Sequence, residues 1–361
     1  MRISVPVIPF VLVLVCLYVI GCLMYQRMYW GNSIENMSQQ EITPSKEYLA
    51  SLKPKGMFPF RYFHDENSNP LPIVAVTGFF RDKDAEDRYA EYLQHGIKII
   101  GVTAYKSFPK PIKDGADDYY HLDHPFDYTR YIQNWLCCFR DPTEYGFSDY
   151  NNLVDISESD IYDSEPPSDV KKEYDFIYIC NKDGDTCPMD GWNAVNRNYK
   201  LFVECLPIMI NEYKLKGLLV GRVGCGLEEK YGDSVEVTDW LDWYTLQDKM
   251  RASRFLFVPN IYDASPRVVA ECLTKGLPVL MNHTILCGSK YINEHTGELF
   301  IDQYDIRGAL DKLVPRIDKM DTKSWWTKNY GTDRTSERIR DFLNPFYPHI
   351  LKDVKRVRFL L

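Results

Sequence analysis

No CxxC pair and no cluster of cysteine and histidine at metal-ligand spacing occurs in the 361 residues, despite ten cysteines and seven histidines. No metal site is therefore expected. Positive charge is also short: 43 Lys and Arg stand against 51 Asp and Glu, a formal net charge of −8, which argues against a nucleic-acid partner. The basic group Lys352, Lys355, Arg356 and Arg358 reads as a solvated face. There is no internal repeat. Charge is missing altogether from Ile3 to Tyr25, ISVPVIPFVLVLVCLYVIGCLMY, about the length of a bilayer-crossing helix. Arg2 and Arg27 flank the run, and Tyr25, Tyr29 and Trp30 sit where an interfacial aromatic belt would lie. A cleaved signal peptide is the alternative, but the run exceeds a usual h-region and no A-x-A-like site follows. The expectation is a signal-anchored, single-pass membrane protein with residues 1–30 as its transmembrane helix, endomembrane or Golgi-like in a eukaryote. Its orientation stays open, and the sequons Asn36-Met37-Ser38 and Asn282-His283-Thr284 do not settle it.

What is present is the composition of a folded protein, 45% apolar and 26% charged, long enough for two domains. The 26 tyrosines suit a surface that stacks on sugars or bases, and equally a Tyr-rich core. Cys137, Cys138, Cys205, Cys272 and most others fall in apolar runs and read as buried thiols. In an oxidising compartment Cys180 and Cys187 could close a short loop. Residues 31–70, polar and carrying Pro44, Pro54, Pro59 and Pro70, read as a stem. Strand Ile73–Thr77, helix Lys83–His95 and strand Ile97–Val102 make a parallel α/β unit, followed by a helix over Phe126–Cys138. The acids Asp155, Glu158, Asp160, Asp163, Glu165 and Asp169 around Pro166-Pro167 read as a solvated linker rather than a metal site. These make an N-terminal unit, 71–170.

Beyond it strands and helices alternate: strands Asp175–Cys180, Gly217–Gly221, Val235–Trp240, Phe255–Val258 and Leu277–Met281, and helices Asn198–Lys214, Leu246–Arg254, Pro266–Lys275 and Asp305–Val314. Nearly all-apolar strands between helices imply a parallel sheet covered on both faces. This is a C-terminal unit, 171–320, with a helical tail, 321–361.

Within it, Ser265 suits an N-cap, Pro266 the first helical position and Gly276 the helix end. A helix N-terminus directly after a parallel strand presents free N–H groups to a diphosphate. Val268, Val269, Cys272 and Leu273 are its expected buried face. By spacing alone Asp263 and Glu271 could equally be dipole and i±4 partners on an ordinary surface helix.

The segment resembles the C-terminal signature of GT-B glycosyltransferases, especially retaining glycosyltransferase family 4. An acid, Asp263, is followed after seven residues by Glu271 and then by Gly276-Leu277-Pro278-Val279. DKMRASRFLFVPN, from Asp248 to Asn260, and Thr296-Gly297-Glu298-Leu299-Phe300 resemble the flanking elements. The likeness is good over Leu246–Ile317 and loose over Tyr174–Leu246. It departs from the pattern in having Asp where the first acid is usually Glu, and Ala264-Ser265-Pro266 in place of a glycine-rich stretch.

The resemblance implies a GT-B-like pair of Rossmann-type parallel-sheet domains with a short N-terminal one. It implies a nucleotide-sugar donor, a glycan, lipid or protein acceptor, transfer with retention, and no metal or other cofactor. Asp263 and Glu271 would be the catalytic pair, Asp263 facing the donor sugar and Glu271 the ribose. Ser265 and the N–H groups of Arg267 and Val268 would approach the donor. Lys182, Arg197, Lys200 and Arg222 are the candidates to neutralise the leaving diphosphate. His121 and His124 are acceptor-side candidates, or structural histidines. The competing readings are a non-catalytic nucleotide- or glycan-binding protein and another sugar-phosphate enzyme such as an epimerase.

Overall fold

The computed structural model describes residues 42–52, 57–110, 126–148, 150–166, 170–185 and 187–359. Short apolar strands assemble there into two six-stranded sheets. The first contains β1 (Phe60–His64), β2 (Pro70–Val76), β3 (Lys98–Val102), β4 (Trp135–Leu136) and β5 (Leu153–Val154), with β12 (Arg358–Phe359) at one edge, in the order β12-β1-β2-β3-β4-β5. β2 to β5 run parallel, whereas β1 pairs antiparallel with both β2 and β12. Helix α1 (Lys83–Gln94) connects β2 to β3; Asp82 caps it by accepting the Ala85 N–H at 2.9 Å.

The second sheet is wholly parallel, with β6 (Tyr174–Ile179), β7 (Gly217–Val220), β8 (Val235–Thr238), β9 (Ser253–Val258), β10 (Val279–Asn282) and β11 (Gly297–Phe300) in the order β11-β10-β9-β6-β7-β8. Its side chains alternate between two cores. Phe176, Tyr178, Phe255 and Phe257 pack with α3 (Tyr199–Pro207) and α6 (Ile306–Leu313). Ile177, Leu256 and Val258 pack with α4 (Trp243–Arg251) and α5 (Arg267–Thr274). Burial on both faces is why these strands read as apolar runs. The chain winds outward from β6 through β7 to β8, then returns to β6 and winds the other way. The order therefore reverses between β6 and β9, and open α/β sheets bind ligands at the carboxyl ends of such a pair.

The tail crosses back. Trp326 of α7 (Thr322–Asn329) is buried against α5 and donates to the Tyr162 carbonyl at 2.7 Å. Ile339 and Leu343 of α8 (Thr332–Leu343) pack beside Phe63, Ile73 and Ile100 on the first sheet.

Several expectations change. β1 lies within the segment read as stem. The helix expected over Phe126–Cys138 is a turn at Tyr128–Tyr131 followed by β4, because Trp135 packs over Gly101 and its backbone joins β3. The acidic linker is not simply solvated: Asp160 is fully buried. Thr296–Phe300, one of the flanking elements, contains β11. The membrane reading is also corrected. Among the described residues no helix is long and apolar enough to cross a membrane, since the longest, α1 and α8, run to only 12 residues. The transmembrane helix, the signal anchor, the single-pass location and the membrane as partner therefore have no counterpart among the described residues. The run that prompted them, residues 1–30, lies outside the described residues.

Candidate functional site

A cavity of about 580 Å³ opens between the two sheets at their carboxyl edges. Gly78, Phe79 and Arg81, following β2, and Ala104 to Ser107, following β3, form one wall. The other wall comes from α2 (Trp192–Asn196), Arg197 and the segment Tyr262–Val268 that follows β9. It therefore sits where the strand order of the second sheet reverses.

Asp263 organises the far wall. Its Oδ2 pairs with Arg197 Nη1 and accepts the Asn260 side-chain amide at 3.2 Å, and its Oδ1 accepts the Ser265 N–H at 3.2 Å. Helix α5 begins one residue later than expected: Pro266, not Ser265, is its N-cap. The Ser265 hydroxyl instead meets Ser159 Oγ at 3.1 Å and Ser157 Oγ at 3.4 Å. The Arg267 N–H donates to the Ser265 carbonyl at 2.8 Å. Of the two amides expected to face a ligand, only that of Val268 is left without a protein acceptor among the described residues. Val268 is half-buried, packing against the same core as Val269, Cys272 and Leu273 while also lining the cavity, and the exposed Arg267 side chain lines it too.

Glu271, one turn further on, does not line the cavity; its Oε2 accepts from Gln247 Nε2 at 3.0 Å on α4. Lys275, four residues on, donates to the Glu271 carbonyl and pairs with Glu165 at 2.6 Å rather than with the Glu271 carboxylate. Glu158, on the crossover beside Arg267, has its carboxyl raised above the usual range by burial, with Arg267 and Arg61 opposing.

The remaining cations divide. Arg197 is in the cavity wall. Arg222 is fully buried: Nη2 lies 3.1 Å from Asp183 Oδ2, Nε donates to Cys180 Sγ at 3.2 Å, and the guanidinium stacks on Tyr199 at 4.1 Å. It braces the wall from behind, because Asp183 accepts the N–H groups of Asn193 (2.7 Å) and Ala194 (3.0 Å) and so caps α2. Lys182, half-buried on the same loop, is outside the cavity lining. Lys200 is 77% exposed and faces Glu204 at 4.0 Å. His121 and His124 lie outside the described residues. The expected loop between Cys180 and Cys187 is replaced by a Cys187–Cys225 disulfide, which ties the Asp183 loop to the Arg222 loop. Cys180 is free and buried beneath Arg222.

The first-sheet wall was not foreseen. Phe58, Phe79 and Tyr105 line it, and the buried Lys106 reaches across to donate to Asn196 Oδ1 at 3.1 Å. The signal available was position: Gly78–Arg81 and Ala104–Ser107 directly follow the two strands that the sequence shows most plainly.

Two α/β sheets with a cleft between their carboxyl edges make this a GT-B-like fold. The lipopolysaccharide outer core galactosyltransferase WaaB in its apo form superposes with a TM-score of 0.51 at 14% identity, covering 78% of this chain and 76% of that one. A glycosyltransferase from Rickettsia africae ESF-5 gives 0.50 at 12% identity, covering 78% and 77%. No protein-family model and no curated protein matches the chain.

Proposed function

We propose that the cleft binds a nucleotide-sugar and transfers its sugar to an acceptor, as a glycosyltransferase resembling the retaining, metal-independent family 4. The observation that carries this reading is the placement of Arg197, Arg267 and the Val268 N–H together at the strand-order reversal. There they can neutralise the charge that develops on a leaving diphosphate. Glu271 shares its helix side with Arg267, four residues earlier, and accepts from the ribose just beyond the cavity rim. The acceptor lies along the first-sheet wall, against Phe79 and Tyr105. Residues 71–170 are thus acceptor-side and 171–320 donor-side.

A thermal-shift panel of uridine, guanosine and adenosine diphosphate sugars tests it. One donor class at ~100 times its Kd stabilises the protein by ~2.7 kcal/mol and raises Tm by a few degrees. Glu271→Ala weakens that donor about tenfold, as expected for a lost charge-assisted hydrogen bond. No shift with any of them removes the proposal. Binding without turnover, whatever the acceptor, makes the chain a non-catalytic member of the fold.

A further inference from the structure

The Asp263 carboxylate is already occupied by protein donors. One oxygen holds Arg197 Nη1 and the Asn260 amide, the other holds the Ser265 N–H, and the side chain is only 12% exposed. A carboxylate offers about four acceptor directions, so little remains for the hydroxyl of a sugar. Arg197 is the opposite case. It lines the cavity, its side chain is 35% exposed, and only Nη1 of its three guanidinium nitrogens is engaged within the described residues.

On the reading of the cleft as a nucleotide-sugar site, we propose that Asp263 is a positioning residue. It fixes the Arg197 guanidinium so that the remaining N–H edge faces the donor's diphosphate, and it does not touch the sugar. The side-chain length supports this. An Oδ1 that accepts the N–H two residues on is an Asx turn, which Asp and Asn form and the longer Glu does not. Aspartate at 263 can therefore hold the Asp263–Ser265 turn and Arg197 with the same carboxylate. Glutamate would carry its charge one methylene further and lose the turn.

The test uses nucleoside diphosphates, which have no sugar for residue 263 to reach. Titrations with uridine, guanosine and adenosine diphosphate are made on the full chain, on Asp263→Asn, on Arg197→Ala and on the double variant. Asparagine keeps an acceptor for the Ser265 N–H and replaces the Oδ2 that Arg197 and the Asn260 amide meet with an NH2 that can accept from neither. The expected result is that Asp263→Asn weakens the bound diphosphate about tenfold, weakens the matching nucleotide-sugar by the same factor, and has no further effect when Arg197 is alanine. Three results overturn the proposal. The first is a diphosphate Kd that is unchanged or tighter in Asp263→Asn. The second is a loss seen with the nucleotide-sugar alone, which would put the carboxylate on the sugar. The third is additive losses in the double variant. If the unaltered chain binds neither diphosphates nor nucleotide-sugars, the reading of the cleft falls first and this assignment falls with it.

Discussion

Arg222→Met is expected to lower the free energy of unfolding by about 3 kcal/mol, read as a lower urea midpoint at unchanged slope. Arg222 is fully buried, and its removal leaves Asp183, 12% exposed on its side chain, without its cation. Breaking a buried pair from one side costs about 3–5 kcal/mol, because the other charge stays behind. The lower end applies because Asp183 keeps two backbone N–H donors from Asn193 and Ala194. The stacking of the guanidinium on Tyr199 is lost as well. A loss below about 1 kcal/mol would mean that the two amides alone satisfy Asp183 and that Arg222 contributes little.

Asp160→Ala is expected to cost about 3–5 kcal/mol in the same experiment. Asp160 lies on the crossover between the sheets with no exposed surface, accepting from Tyr291 Oη, from Lys290 Nζ at 2.9 Å and from the Ser157 N–H at 3.2 Å. Burial would pull the Lys290 pKa down, but Asp160 and Asp155 hold it above the ordinary lysine range. A lysine raised on folding contributes stability that is complete below its unfolded pKa, about 10.4, and is lost as pH rises through the folded value. The Lys290 contribution in the unaltered chain is therefore flat through neutral pH. Alanine leaves Lys290 with the exposed Asp155 and strands the Tyr291 hydroxyl in the core. Asparagine retains an acceptor for Tyr291 and should lose less. Equal losses for both variants would show that charge, not hydrogen bonding, sets the cost.

The second sheet was legible because its strands are buried on both faces, so Phe176-Ile177-Tyr178 and Phe255-Leu256-Phe257-Val258 stand out as apolar runs between helices. The first sheet was legible only at β2 and β3. β4 and β5 are two-residue pairings with no period to read. β12 comes from the far end of the chain, and β1 follows a proline-punctuated polar stretch. In the candidate site, the helix after β9 was visible from its own residues. What Asp263 does there was not, because Arg197 is 66 positions away. The burial of Asp160 depends in the same way on Tyr291, 131 positions away. Sequence spacing reports neighbours along a helix or strand, and neither contact is of that kind. Lys200 and Arg222 show the converse: one starts a helix and the other follows a strand, both places where cations can meet phosphate, yet the first points to solvent and the second is sealed behind the wall.

The most direct test of the account is a crystal structure with the nucleoside diphosphate that binds most tightly. The account predicts the diphosphate in the cleft, within hydrogen-bond distance of the Arg197 guanidinium and the Val268 N–H, with the ribose toward Glu271. A nucleotide bound anywhere else, or in the cleft with its phosphates turned away from Arg197, would contradict it.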